Sequence, residues 1–190
     1  EIVDDPTLTY HGEAIAKLTA WAEGWRTAMN AGSSEDPVLN AIVSQFRKYG
    51  IPADECEAFL RSMFMDEQKF SYADYRELEE YMYGSAGVIG LMVTRVVGYS
   101  SDEAFEYAKK LGYAFQLTNF LRDIREDYDE LGRVYMPANE LRHFGRGVTD
   151  IASHARDKRF VDFMKFQIAR NRKIYREALP RATTLHVTEV

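Results

Sequence analysis

The 190-residue sequence holds one cysteine, Cys56, so neither a disulfide framework nor a thiolate metal site can be built from it. A reducing, cytoplasmic setting is the expectation. Basic clusters long enough to track a nucleic acid backbone are missing, and a formal net charge of −6 with a pI near 5.3 turns nucleic acid away as a partner. Long hydrophobic runs are missing too. The most apolar stretch, AGVIGLMVTRVVG from Ala86 to Gly98, is too short to span a bilayer and carries Arg95, and no signal-peptide pattern stands ahead of it. Alternation at the strand period is hardly seen, which leaves helical periodicity dominant and predicts an all-α fold. His11, His143, His154 and His186 are scattered and form no motif. No repeat, low-complexity tract or linker divides the chain, so residues 1–190 read as one domain, and 46% hydrophobic residues suffice for one sizeable core.

What is present is a succession of helices. The first is expected from Leu8 to Asn30, with Ile15, Leu18, Ala22, Trp25 and Met29 on one face. A second runs from Pro37, behind the N-cap Asp36, to Tyr49, where Gly50 stops it. A third covers Ala53 to Glu67 and a long fourth Tyr72 to Gly98. The long fifth spans Ser101 to Glu130, opened by Ser100 with Glu103 in a capping-box arrangement and closed by Gly132. Pro137 starts a short turn to His143, and a last helix runs from Arg156 to Leu179, before Pro180.

Within the fifth helix, QLTNFLRDIRED places Gln116, Asn119, Asp123 and Asp127 within a stripe about 80° wide. Asp and Asn are poor helix formers, so the choice has a local cost. Leu117, Leu121, Ile124 and Tyr128 form the adjacent stripe expected to pack inward, while Arg122, Arg125 and Glu126 take the far side. Two carboxylates four residues apart repel along a helix unless a cation lies near them. Aspartates and an asparagine carbonyl are the hard oxygen donors that magnesium prefers. The same pattern also suits a solvated acidic face, and the spacing alone leaves both readings open.

Two further stretches stand out. EYMYGSAGVIGLM crowds Gly84, Ser85, Ala86, Gly87 and Gly90 into a helix interior, at about 1 kcal/mol per glycine relative to alanine. Such a run permits either close helix packing or a groove for a long apolar ligand. The chain also opens on acid, EIVDD, which is either an exposed acidic terminus or a second carboxylate cluster that faces the first across a diphosphate.

Together these stretches resemble the squalene and phytoene synthase family, the head-to-head prenyl transferases, over nearly the whole chain. EYMYGSAGVIGLM resembles the family's tyrosine and glycine signature, and AFQLTNFLRDIREDYDELGRVYMP its second aspartate-rich signature. EIVDD is similar to the end of the first aspartate-rich motif, with Asp4 its final aspartate. The opening aspartate would fall just before Glu1, and family members carry further helices at both ends, so the chain reads as truncated at both termini.

The resemblance implies the all-α isoprenoid synthase fold, in which two aspartate-rich helices face each other across a central cavity. It implies Asp4, Asn119, Asp123 and Asp127 as ligands of magnesium, or manganese, with Gln116 near the diphosphate. Tyr81 and Arg133 would hold the diphosphate or assist its departure, and Tyr135 would support the loop after the fifth helix. Ser85, Ala86, Ile89 and Gly90 would line the prenyl channel. The leading expectation is condensation of two geranylgeranyl diphosphates to phytoene through a cyclopropyl intermediate, prephytoene diphosphate. This reaction needs no nicotinamide, and no dinucleotide fingerprint is found. Squalene or dehydrosqualene synthesis from farnesyl diphosphate is the enzymatic alternative, and an inactive all-α interaction module the alternative of another class. Long apolar substrates handled by a chain without a spanning segment imply peripheral membrane contact.

Overall fold

In a computed structural model of the chain, residues 11–151 and 157–179 are described. All the regular elements among them are helical. The order is α1 (His11–Ala31), α2 (Pro37–Tyr49), α3 (Ala53–Gln68), α4 (Tyr75–Met82), a π-helical turn (Tyr83–Gly87), α5 (Val88–Val97), α6 (Glu103–Arg122), α7 (Ile124–Leu131), α8 (Ala138–His143), a 3₁₀ turn (Val148–Asp150) and α9 (Lys158–Ala178).

Local chemistry sets several of these limits. The Asp36 side chain accepts from the amides of Val38 and Leu39, Pro37 occupies the first turn, and Gly50 closes α2 at φ 61°. Asp74 caps α4 through the Glu77 amide, and Asp157 caps α9 through the Phe160 amide. Gly132 ends α7 at φ 65°. α6 begins at Glu103, two residues later than expected, after Asp102, whose side chain makes no cap.

Two of the long helices expected from periodicity are interrupted. The one drawn from Tyr72 to Gly98 becomes α4, the π-helical turn and α5, and its glycines sit close against neighbouring helices, Gly84 and Gly90 against main chain. A Cβ added at Gly84 would lie 2.8 Å from the Ala58 carbonyl carbon of α3, one at Gly87 2.8 Å from Tyr113 Cε1, and one at Gly90 2.8 Å from the Ala108 carbonyl carbon of α6. Close packing is therefore one use of the small-residue run. The helix drawn from Ser101 to Glu130 breaks at Asp123, at φ −99° and ψ 9°. The Asp123 amide still bonds Asn119 O at 2.8 Å and the Asp127 amide bonds Asp123 O at 2.8 Å, so α7 continues nearly in register with α6.

Apolar side chains gather in two clusters. Leu18, Trp25, Leu39, Val43, Phe46 and Leu60 join α1, α2 and α3, and include Cys56. Tyr72, Tyr81, Leu117, Phe120, Tyr135 and Phe163 join α4, α6, α9 and the segment after α7. Leu121, Ile124 and Tyr128 pack against this second cluster, as their stripe predicts. Along α9, Asn171 Nδ2 donates to Thr118 Oγ1 at 2.8 Å, and Thr118 Oγ1 lies 3.1 Å from Tyr175 Oη. The segment before α4 runs beside the segment after α7: Ser71 and Val134 form an isolated parallel bridge, and the amides of Val134, Ala138 and Asn139 donate to Phe70, Tyr72 and Ala73 carbonyls at 2.8, 2.9 and 3.0 Å. This stitching brings Tyr135 to the foot of α4.

Candidate active site

The break at Asp123 and the stitched segment bring the acidic stripe near the buried Arg133 and the tyrosines Tyr81 and Tyr135. Gln116 is half-buried on α6 and Asn119 exposed, while Asp123 and Asp127 are half-buried. Arg122 does not take the far side as its helical angle predicts. Its guanidinium forks onto Asp123, Nε to Oδ1 and Nη2 to Oδ2, both at 2.6 Å, and holds that carboxyl below its ordinary range. Asp127 behaves oppositely. Burial first, then the neighbouring Asp123 charge, push its carboxyl up to about 6, against the pull of Arg133.

Arg133 is buried and tied to the stripe through its own amide, which donates to Asp127 O at 2.9 Å. Its Nη2 lies 3.9 Å from Glu67 Oε1, itself buried. Tyr81 Oη donates to Asp66 Oδ2 at 2.9 Å and Tyr135 Oη to Asp66 Oδ1 at 3.0 Å. The Tyr81 and Tyr135 rings stack at 5.4 Å, and Phe120 stacks on Tyr135 at 4.2 Å, nearly parallel. Burial, followed by the Asp66 charge, raises both phenols above their ordinary range, so they remain protonated donors at neutral pH.

Of the sequence-derived site residues, Asp123, Asp127, Arg133, Tyr81 and Tyr135 come together here, with Asn119 and Gln116 on the same stretch of α6. Asp4 lies outside the described residues. Ile89 and Gly90 line an apolar cleft of 220 Å³ between α5 and α6, with Val93, Ala108, Leu111 and Phe115. Ser85 and Ala86 do not line it. The Ala86 carbonyl meets the Gly112 backbone so closely that a Cβ there would be 3.0 Å from its carbon, and Ser85 Oγ is buried with no hydrogen-bond partner.

Sequence reasoning missed Asp66 and Glu67. The signal was a pair of acidic residues in the last turn of α3, where the helix dipole disfavours negative charge.

No cluster of three or more His, Cys, Asp or Glu side chains poised around a cation occurs among the described residues. The stripe nevertheless fits one side of a magnesium or manganese site. Its donors are hard oxygens, and the mutual cost of charging Asp123 and Asp127 is what a cation would remove.

Residues 1–188 match the family described as squalene/phytoene synthase. A phytoene synthase of Arthrospira platensis is 31% identical over 98% of this chain and 63% of its own length. Phytoene synthase 3 of Zea mays is 33% identical over 98% of this chain and 44% of its own. The chain spans about half the length of the curated relatives it matches. Among solved structures, squalene synthase HpnC of Alicyclobacillus acidocaldarius aligns at TM-score 0.74 and 26% identity, over 97% of this chain and 72% of that one. A ligand-bound dehydrosqualene synthase aligns at 0.81 and 26%, over 90% and 60%. The fold is the all-α isoprenoid synthase fold seen in those structures, and the chain belongs to the squalene/phytoene synthase family.

Proposed function

We propose that the protein containing this chain condenses two geranylgeranyl diphosphates head to head, through prephytoene diphosphate, to phytoene. The observation that carries the reading is the meeting of the Asp123 and Asp127 carboxylates with buried Arg133 beside the stacked Tyr81 and Tyr135. Anion-holding and cation-tolerant groups thus stand side by side, as ionisation of an allylic diphosphate requires.

Asn119, Asp123 and Asp127 would hold magnesium or manganese, which when bound supplies positive charge to neutralise the diphosphate. Arg133 and Arg122 add fixed positive charge on either side of the stripe. As the allylic C–O bond breaks, its electron pair leaves with the diphosphate, while the stacked Tyr81, Tyr135 and Phe120 rings form a buried aromatic floor that holds Tyr81 and Tyr135 in place. The double bond of the second substrate attacks that cation, and loss of a proton to the released diphosphate closes the cyclopropane. The apolar cleft of Ile89, Val93 and Leu111, farther along α5 and α6, offers a surface suited to a prenyl tail. Each curated relative named above is a phytoene synthase, which favours the geranylgeranyl substrate.

A second reading, dehydrosqualene formation from farnesyl diphosphate, draws on the structural likeness to the dehydrosqualene synthase. Chromatography of products from the full-length protein, given magnesium and each diphosphate separately, decides between them. Phytoene from the C20 substrate is expected. A C30 hydrocarbon alone would install the second reading, and no hydrocarbon from either would favour the inactive interaction module.

A further inference from the structure

We infer that Asp66 and Glu67, adjacent in the last turn of α3, are positioning residues that together hold Tyr81, Tyr135 and Arg133; the inference rests on the function proposed above. Asp66 is 6% exposed and both of its carboxylate oxygens are engaged, one by each phenol. Glu67 is equally buried and faces the Arg133 guanidinium. One dipeptide thus reaches three side chains drawn from α4 and from the segment after α7.

The arrangement has a chemical direction. A carboxylate can only accept, so the hydroxyl hydrogens of Tyr81 and Tyr135 are both committed to Asp66. The two hydroxyls also interact with each other, so Asp66, Tyr81 and Tyr135 form one closed polar cluster. Burial, and then the Asp66 charge, keep both phenols from ionising, so both remain donors to Asp66 across the neutral range. The Tyr81 proton is thereby committed to Asp66 and not to the diphosphate, and its ring is held against Tyr135. Glu67 acts on the opposite partner: it anchors the Arg133 side chain, whose amide is already fastened to the Asp127 carbonyl. Placing two carboxylates at the C-terminal end of a helix opposes the helix dipole. A local cost of this kind is expected where a sequence serves a site.

The test is a double-mutant cycle in the full-length protein with magnesium and prenyl diphosphate, using Asp66→Asn, Tyr81→Phe and the pair. Asparagine keeps the shape but presents one donor, so one phenol must accept and swing its proton away. Asp66→Asn should lower kcat by about 10²-fold, the scale of a small misplacement at a reacting centre, with KM nearly unchanged. The double variant should be no slower than Tyr81→Phe alone. Losses that multiply, or a rise in KM without a fall in kcat, would overturn the positioning role.

The same cycle read by melting temperature needs no substrate. Non-additive shifts are expected, and additive shifts would overturn the inference whatever the activity. A wild-type protein that makes no product would instead sink the proposed function and leave the melting cycle to decide. Should Asp66→Asn fail to fold, Glu67→Gln with Arg133→Gln provides the equivalent cycle, and additive shifts there would count equally against it.

Discussion

Replacing Gly84 by alanine sets two calculable terms against each other. In a helix interior alanine is favoured over glycine by about 1 kcal/mol. Against this, the new Cβ would lie 2.8 Å from the Ala58 carbonyl carbon and closer still to Ala58 O and Ser62 Oγ. Carbon atoms prefer about 3.5–4.0 Å, so α3 and the π-helical turn would have to part by about 1 Å. The Ala58 carbonyl is main chain and cannot rotate aside. Ser62 Oγ can, but it donates to Tyr81 O at 2.8 Å, and losing that buried bond costs about 1 kcal/mol. Overpacking of this kind reaches about 3 kcal/mol, which leaves a net destabilisation of about 2 kcal/mol after the helix-propensity gain. At about 2–4 °C per kcal/mol for a chain of this length, melting followed by circular dichroism should fall by about 4–8 °C. Gly12, with nothing within 4 Å of an added Cβ, is the control, and Gly12→Ala should hold or slightly raise the melting temperature. Because the Tyr81 carbonyl shares the disturbed contact, product formation should fall with Gly84→Ala. An unchanged or higher melting temperature would refute the close approach of α3 to the turn.

Asp127 carries a pH signature. Its folded value near 6 exceeds the ordinary 3.8, so its contribution to stability is fully present below about pH 4 and is lost as pH rises through 6; Asp127→Asn should therefore gain melting temperature over wild type across that window and hold the gain above it. Partial exposure limits the gain to about 1 kcal/mol, and a constant difference at all pH values would remove Asp127 from a charged, half-buried site. Asp123→Ala should keep the helical circular dichroism spectrum yet lose the joint thermal shift given by magnesium plus inorganic diphosphate, whereas a retained shift would place the cation elsewhere. Long prenyl chains of the proposed substrate and product partition into lipid, so vesicles should raise the rate of the full-length protein on prenyl diphosphates, and indifference to both anionic and neutral lipid would remove the expected peripheral contact.

The sequence made α2 legible to the residue because its limits are local: Asp36, Pro37 and Gly50 act on their own turn. The break at Asp123 and the π-helical turn were not legible, since the 3.6-residue pattern runs through both and only contacts with other helices mark them. For the site, the stripe of Asn119, Asp123 and Asp127 could be read from spacing, with roles supplied by the family resemblance. The fork of Arg122 onto Asp123 could not, because a long side chain reaches across its helical angle. Asp66 was hidden for a plainer reason. Its two phenol partners lie 15 and 69 positions away, and nothing in a local window announces a bond over such a separation.

The parallel bridge of Ser71 and Val134, with the amides of Val134, Ala138 and Asn139 beside it, has a kinetic consequence. Closing it links segments far apart along the chain, so its loop entropy must be met before the bonds reward it. Helices α3 to α7 are expected to form first and the strap across them to close late, delivering Tyr135 and Arg133 to the site in the final step. Native-state hydrogen exchange would register this as a shared opening free energy for the Val134, Ala138 and Asn139 amides. A ligand that bridges Arg133 and Asp127 would then slow the exchange of all three together, although it touches none of them.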